Sequence, residues 1–282
     1  MADEEAYKFV DDASFLEVIN LLSVGLASLN AKNHVASDVP PEMAFLPPKN
    51  AETQQILDKM SKWTKDQKMV LSGEKSKYMI VNFCNSLKFK TRLTINDSLL
   101  QQVRETRLLG VVIQDDLSWK SNTQQLVKRA YARMIILRKL VEFNIPIPDM
   151  INIYVLFVRS LIEQSSVVWS SSLTKDEMAS LERTQKVALR IVFHKDYISY
   201  ENALQMAKLQ TIQQRYRDLL LKFALKCSEN DKTRDMLPLA KNYPGTRNFE
   251  KFEVILARKQ RLYDSAIPTM ARMLNKHYND KR

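Results

Sequence analysis

Glycine is scarce in this chain, with 4 residues among 282. Loops that cradle phosphates need closely spaced glycines so that backbone can approach the ligand, and neither GxxxxGK[ST] nor GxGxxG occurs. Cysteine is scarcer still. Cys84 and Cys227 lie far apart and give no disulfide framework. Together with His34, His194 and His277 they show no metal-ligand spacing. No apolar run approaches the ~20 residues that a membrane helix requires. The first residues, MADEEA, are acidic and polar, unlike a secretory leader. The expectation is a chain kept in a reducing, intracellular compartment, nucleus or cytoplasm, with no membrane partner.

What is present suits a globular chain of one large domain or two modest ones, with 45% hydrophobic and 27% charged residues. The formal net charge of +11 is unevenly spread. Residues 1–60 hold 4 Lys and no Arg against 10 acidic groups, whereas the rest carries 39 basic and 22 acidic. A basic body behind an acidic front points to a polyanionic partner, nucleic acid above all. A solvated surface that serves solubility is the plainer alternative.

Periodicity divides the chain further. Residues 13–29 and 51–64 read as helices, the second with Ile56, Leu57, Met60 and Trp63 on one face. A proline-rich loop lies between them. The segments 78–83, 91–95 and 106–113 are short, β-branched or alternating, and predict a small antiparallel sheet. Beyond Trp119 the pattern is helical. In 120–143 Leu126, Ala130, Met134, Leu137 and Val141 form one stripe, with Lys128, Arg129 and Arg133 on another side. Pro146 and Pro148 end that helix, and 149–164 begins a new one. Thr174-Lys175-Asp176-Glu177 has the spacing of a capping box, in which the Thr hydroxyl and Glu carboxylate satisfy free amides of the first turn. On the helix it opens, Arg183, Lys186 and Arg190 recur at i, i+3 and i+7, opposite Met178, Leu181, Ala188 and Val192. Residues 211–227 repeat the arrangement, with Ile212, Tyr216, Leu219, Phe223 and Cys227 apolar and Arg215, Lys222 and Lys226 basic. Residues 242–248 read as a loop. The last helix, 265–275, carries Pro268 near its first turn.

Near the start stands Phe9-Val10-Asp11-Asp12. Adjacent carboxylates on a tight turn can present oxygens to Mg²⁺, and polymerases use two such ions for nucleotidyl transfer. An acidic surface turn has the same composition. The order of the segments C-terminal to it bears on the choice. Trp63, Lys75-Ser76-Lys77, Met79-Ile80, Leu109-Gly110-Val111 and Asp116-Leu117-Ser118-Trp119 come next, then VWSSSLT and LERTQKVALRI. From about Tyr7 to Asn275 this succession resembles the reverse transcriptases of non-LTR retrotransposons, of the jockey-like kind. The resemblance implies RNA-directed DNA synthesis, with Asp11 and Asp12 as catalytic carboxylates holding Mg²⁺, and RNA or an RNA–DNA duplex as partner. It also implies phosphate contacts at Lys75 and Lys77 and a primer-gripping hairpin at Leu109-Gly110.

Leu71-Ser72-Gly73 departs from the family's usual Leu-Asn. Only six residues precede Tyr7, so the family's fingers and first palm half are not represented. The isolated chain is therefore expected to be inactive alone, with another chain supplying those parts if activity exists.

The fold expected is α+β and predominantly helical. It comprises a partial palm over 1–118, a thumb-like and connecting helical region over 119–230, and a C-terminal loop and helix over 231–282. Nucleic-acid contacts are expected from Lys75, Lys77, Leu109, Gly110, Lys128, Arg129, Arg133, Arg183, Lys186 and Arg190. Solvated turn lysines at 75 and 77, and a bulge glycine at 110, are the structural alternatives. Trp63, Trp119 and Trp169 are read as core rather than stacking platforms. The rival function is a non-enzymatic basic module that binds nucleic acid, or the product of a decayed element.

Overall fold

The computed structural model describes residues 43–45, 52–81, 88–90, 92–240 and 251–280. The chain divides into two compact units, Met1–Ser118 and Trp119–Arg282. Asp11, Asp12, the 13–29 segment and the 242–248 loop lie outside the described residues.

Among the described residues the first unit sets one helix against short strands. Strand β1 is Met43–Phe45 and helix α1 is Glu52–Asp66. Strands β2 to β8 follow as Lys77–Tyr78, Lys88–Lys90, Thr94–Ile95, Ser98–Leu99, Gln101–Gln102, Glu105–Leu108 and Val111–Gln114. The expected single antiparallel sheet is corrected. The strands form two-stranded pairs, of which β1–β3 and β2–β6 are parallel and β4–β5 and β7–β8 antiparallel. The two antiparallel pairs close through two-residue turns, a route open to hairpins alone; a parallel pair needs a longer crossover. A small core of Leu93, Ile95 and Leu100 packs against Leu57, Leu71 and Tyr78. Helix α1 is tied to β4 by the Gln54 amide. Its Nε2 donates to the Thr94 carbonyl and its Oε1 accepts from the Thr94 N–H, both at 3.0 Å. Trp63, expected in the core, is 39% exposed, and Thr64 beside it is the buried position.

The described residues of the second unit are mostly helical, with an isolated antiparallel bridge between Leu239 and Phe252. Its elements are α2 (Lys120–Glu142), α3 (Ile147–Ile153), a π-helical stretch Tyr154–Arg159, α4 (Ser160–Glu163), α5 (Ser166–Trp169), α6 (Lys175–Phe193), α7 (Tyr200–Ala207), α8 (Ile212–Glu229), α9 (Gln260–Tyr263) and α10 (Ala266–Asn279). Proline marks the start of α3, two residues earlier than the segment expected from Asp149. Pro146 precedes α3 with Pro148 in its first turn, where a missing N–H is harmless. The π stretch interrupts what periodicity presents as one helix, and the Ser160 N–H there reaches back to the Val155 carbonyl.

Helix α2 buries Leu126, Ala130, Met134 and Leu137 and packs along α6, which buries Leu181, Ala188, Leu189 and Val192. Trp169 is fully buried, donates its Nε1–H to the Gln164 carbonyl and meets Tyr216 edge-on. The Tyr216 hydroxyl donates to the Ile162 carbonyl at 2.6 Å. A second cluster joins Leu220, Ala224 and Cys227 of α8 to Met270, Ala271 and Leu274 of α10. On α8, Ile212, Tyr216 and Cys227 are buried as expected, but the middle of the face is corrected by one step from Leu219 and Phe223. Leu220 and Ala224 are buried, whereas Phe223 is 39% exposed. Among the described residues no single helix is long and apolar enough to cross a membrane.

Candidate nucleic-acid interface

Helix α6 starts where the capping box predicts. The Thr174 N–H donates to Glu177 Oε2 at 2.8 Å, and the Glu177 N–H donates to Thr174 Oγ1 at 3.3 Å. One face of the helix is buried, and Arg183, Lys186 and Arg190 stand exposed on another. Among the described residues none of these three forms an ion pair.

A polar network holds α6 in register. Gln185, fully buried, accepts at Oε1 from the Tyr154 hydroxyl at 2.8 Å. Its Nε2 donates to the Tyr200 hydroxyl and to the Gln210 carbonyl, both at 2.9 Å. Glu182 accepts from the Tyr200 hydroxyl and from the backbone N–H groups of Ile212 at 3.3 Å and Gln213 at 3.4 Å. Its carboxylate thus sits at the N-terminus of α8, where free amides and the helix dipole favour negative charge. Burial first, and the Glu182 hydrogen bond second, push the Tyr200 phenol well above its ordinary value. Burial does the same to Tyr154 and Tyr216. Because α6 cannot rotate without breaking these bonds, its basic stripe keeps a fixed presentation.

Two of the three basic residues also rest on rings. The Lys186 ammonium lies 5.9 Å from the Tyr200 ring centroid, and the Arg190 guanidinium 5.2 Å from that of Tyr197. Such contacts hold long side chains out of their solution ensemble.

The other basic residues divide. Lys128 and Arg129 of α2, like Lys222 and Lys226 of α8, project from helices whose opposite faces are buried. Arg133 differs from the sequence expectation, for its guanidinium donates to the Phe157 carbonyl and lies 4.6 Å from that residue's ring centroid. Arg215 is likewise drawn inward. It makes a two-pronged pair with Glu163, Nε to Oε1 at 2.9 Å and Nη2 to Oε2 at 3.1 Å, and that carboxylate also lies 3.0 Å from Arg159 Nε. The Glu163 hydrogen bonds hold the Arg215 guanidinium still more firmly protonated.

In the first unit, Lys75 and Lys77 are exposed around a turn fastened by Ser72, whose carbonyl accepts from the Ser76 N–H at 3.1 Å. The adjacent Gly73 is required by space, since a Cβ there would stand 2.6 Å from that of Ser98. Leu109 and Gly110 form the two-residue tip of the β7–β8 hairpin, with φ of 48° and 85°. Two successive positive values make a type I′ turn rather than a bulge, and Leu109 is 75% exposed at its tip.

Among the described residues no group of three or more His, Cys, Asp or Glu could hold a metal ion. Asp11 and Asp12 lie outside those residues. Sequence reasoning missed Glu182, Gln185 and Glu163. The available signal was a polar residue inside an apolar face, as Gln185 is between Leu181 and Leu189. Compared with known protein families, with characterised proteins and with solved structures, the chain shows no match.

Proposed function

We propose that this chain is a nucleic-acid-handling part of an RNA-directed DNA polymerase of the non-LTR retrotransposon kind, with RNA or an RNA–DNA duplex as its partner. The observation that carries the binding half of this reading is the α6 stripe. Arg183, Lys186 and Arg190 are exposed and free of ion pairs among the described residues, on a helix whose register is held by a buried network. Held cations lose less freedom on meeting phosphates than mobile ones do. The polymerase half rests on the ordered motifs of the sequence, with Asp11 and Asp12 assigned as the carboxylates for Mg²⁺.

Two measurements test the reading. In a salt titration of RNA binding, contact with about five phosphates gives a slope of log K against log salt of roughly −3.5 to −4.5. Reversing Arg183, Lys186 and Arg190 to Glu weakens binding evenly across sequences. A flat titration removes the binding half. Primer extension on an RNA template with Mg²⁺ or Mn²⁺, compared with the Asp11→Ala, Asp12→Ala variant, tests the chemistry. Incorporation that vanishes in that variant assigns catalysis to this chain. Salt-dependent binding without incorporation is the outcome expected of the chain alone, and it fits both a partial polymerase that needs parts from another chain and the non-enzymatic module.

A further inference from the structure

We propose that the corner where α6 turns into α7 seats unstacked bases of a single-stranded nucleic acid, beside the phosphate-contacting stripe. The proposal rests on the binding reading above and narrows it to a kind of strand.

The corner is built by an unusual backbone. Helix α6 ends at Phe193, and His194 takes φ 42° and ψ −105°. That lies outside the left-handed well that Ser165 and Lys208 occupy, so the conformation is strained and is held by its surroundings. The chain then makes one 3₁₀ turn, His194–Asp196, and brings the Tyr197 ring to the Arg190 guanidinium. Ile198 comes next, 80% exposed. The Tyr197 hydroxyl is shut off from solvent and has no partner among the described residues. A planar cation and an aromatic ring therefore stand together at the end of a line of charges, and a bare aliphatic side chain follows the ring in sequence. Asp196 and Glu201 are the carboxylates nearby in sequence, against Arg183, Lys186, Arg190 and Lys195.

Charge complementarity selects a polyanion, and the apolar and planar groups select its form. Every base has a π-face that can stack on a ring or a guanidinium plane, and an isoleucine tip can lie against an unstacked base. A closed duplex keeps its bases paired and stacked and offers this corner only phosphates. Charge alone would favour the duplex, whose phosphates are more densely spaced. Preference for single strands therefore separates the two.

The test uses the full chain and fluorescence anisotropy with three probes of equal length: oligouridylate, oligodeoxythymidylate and an RNA–DNA duplex. Arg190→Lys keeps the charge and removes the plane. It is expected to weaken both single strands roughly fivefold or more, while duplex binding and the salt slope stay unchanged. Ile198→Ser acts in the same direction. Tyr197→Phe, which keeps the ring and removes the unpartnered hydroxyl, leaves binding intact. Helical circular dichroism of each variant should match the parent, since the changed groups at 190 and 198 are exposed. Equal affinity for single strands and duplex, untouched by Arg190→Lys, overturns the proposal and leaves the charge reading standing. A loss confined to the RNA strand also overturns it, because recognition would then lie with the 2′-hydroxyl. Absence of salt-dependent binding to any probe sinks the underlying reading itself.

Discussion

The side-chain amide of Asn275 takes the place of a neighbouring strand for Phe252. Its Nδ2 donates to the Phe252 carbonyl and its Oδ1 accepts from the Phe252 N–H, each at 2.9 Å. Both residues are buried, so these bonds satisfy backbone groups that water cannot reach. Asn275→Ala should cost roughly 2–4 kcal/mol, because two buried backbone groups lose their partners at once. Chemical denaturation measures it. Asn275→Asp should also destabilise at neutral pH, since a carboxylate cannot donate to the carbonyl, and should recover partly in acid. A change under about 0.5 kcal/mol for the alanine variant, the usual range of surface substitutions, would show that the segment is not anchored there.

Alkali should unfold the second unit cooperatively. Burial raises the phenols of Tyr154, Tyr200 and Tyr216 above their ordinary value, so ionisation is harder in the folded chain than in the unfolded one. The stabilisation is complete below the unfolded phenol value of about 10 and declines as pH rises above it. Phenolate absorbance should show a late step that coincides with loss of helical circular dichroism. If all 10 tyrosines titrate together with the helices intact, the buried network is wrong.

The start of α6 can be tested by a double-mutant cycle. Thr174→Ala should cost about 0.5–2 kcal/mol, because the Glu177 amide loses its acceptor. Glu177→Ala should be destabilising too, and the two losses should not add, since the Thr174 hydroxyl also donates to Glu177 Oε2 at 2.8 Å and either change removes that bond. Additive losses would mean that the two residues act separately.

At the β7–β8 hairpin, Leu109→Asn should stabilise the first unit by about 1 kcal/mol. Leucine is poorly suited to its φ of 48°, whereas Asn-Gly is the favoured type I′ pair. Thermal denaturation reads the gain. If nucleic-acid affinity falls while stability rises, the exposed leucine is retained for contact at the expense of the turn. A less stable variant would contradict the turn assignment.

Scarce glycine makes that hairpin less exceptional than it looks. Nine residues other than glycine have positive φ among those described, including Asn96, Asp97, Asn144, Ser165 and Lys208. Asn and Asp tolerate this region, which makes Asn96-Asp97 legible as the turn between β4 and β5. Nothing in the local pattern marks His194, whose strained backbone depends on what surrounds it.

Local rules carried the helical half of the fold. The buried stripe of α2, the capping box of α6, Pro148 in α3 and Pro268 in α10 all arise from groups within a few residues of each other, along one helix turn or two. Strand pairing was not legible in this way, because direction and partner are chosen by distant chain. Basic residues behaved the same way. By periodicity Arg133 and Arg215 are indistinguishable from Arg183, yet Arg133 finds the Phe157 carbonyl 24 residues away and Arg215 finds Glu163 52 residues away. Helical spacing places a cation on a face and says nothing of what the fold lays against that face. Which charges stay free was decided by tertiary packing, because a carboxylate or carbonyl at hydrogen-bond distance outcompetes water only once the fold has brought it there.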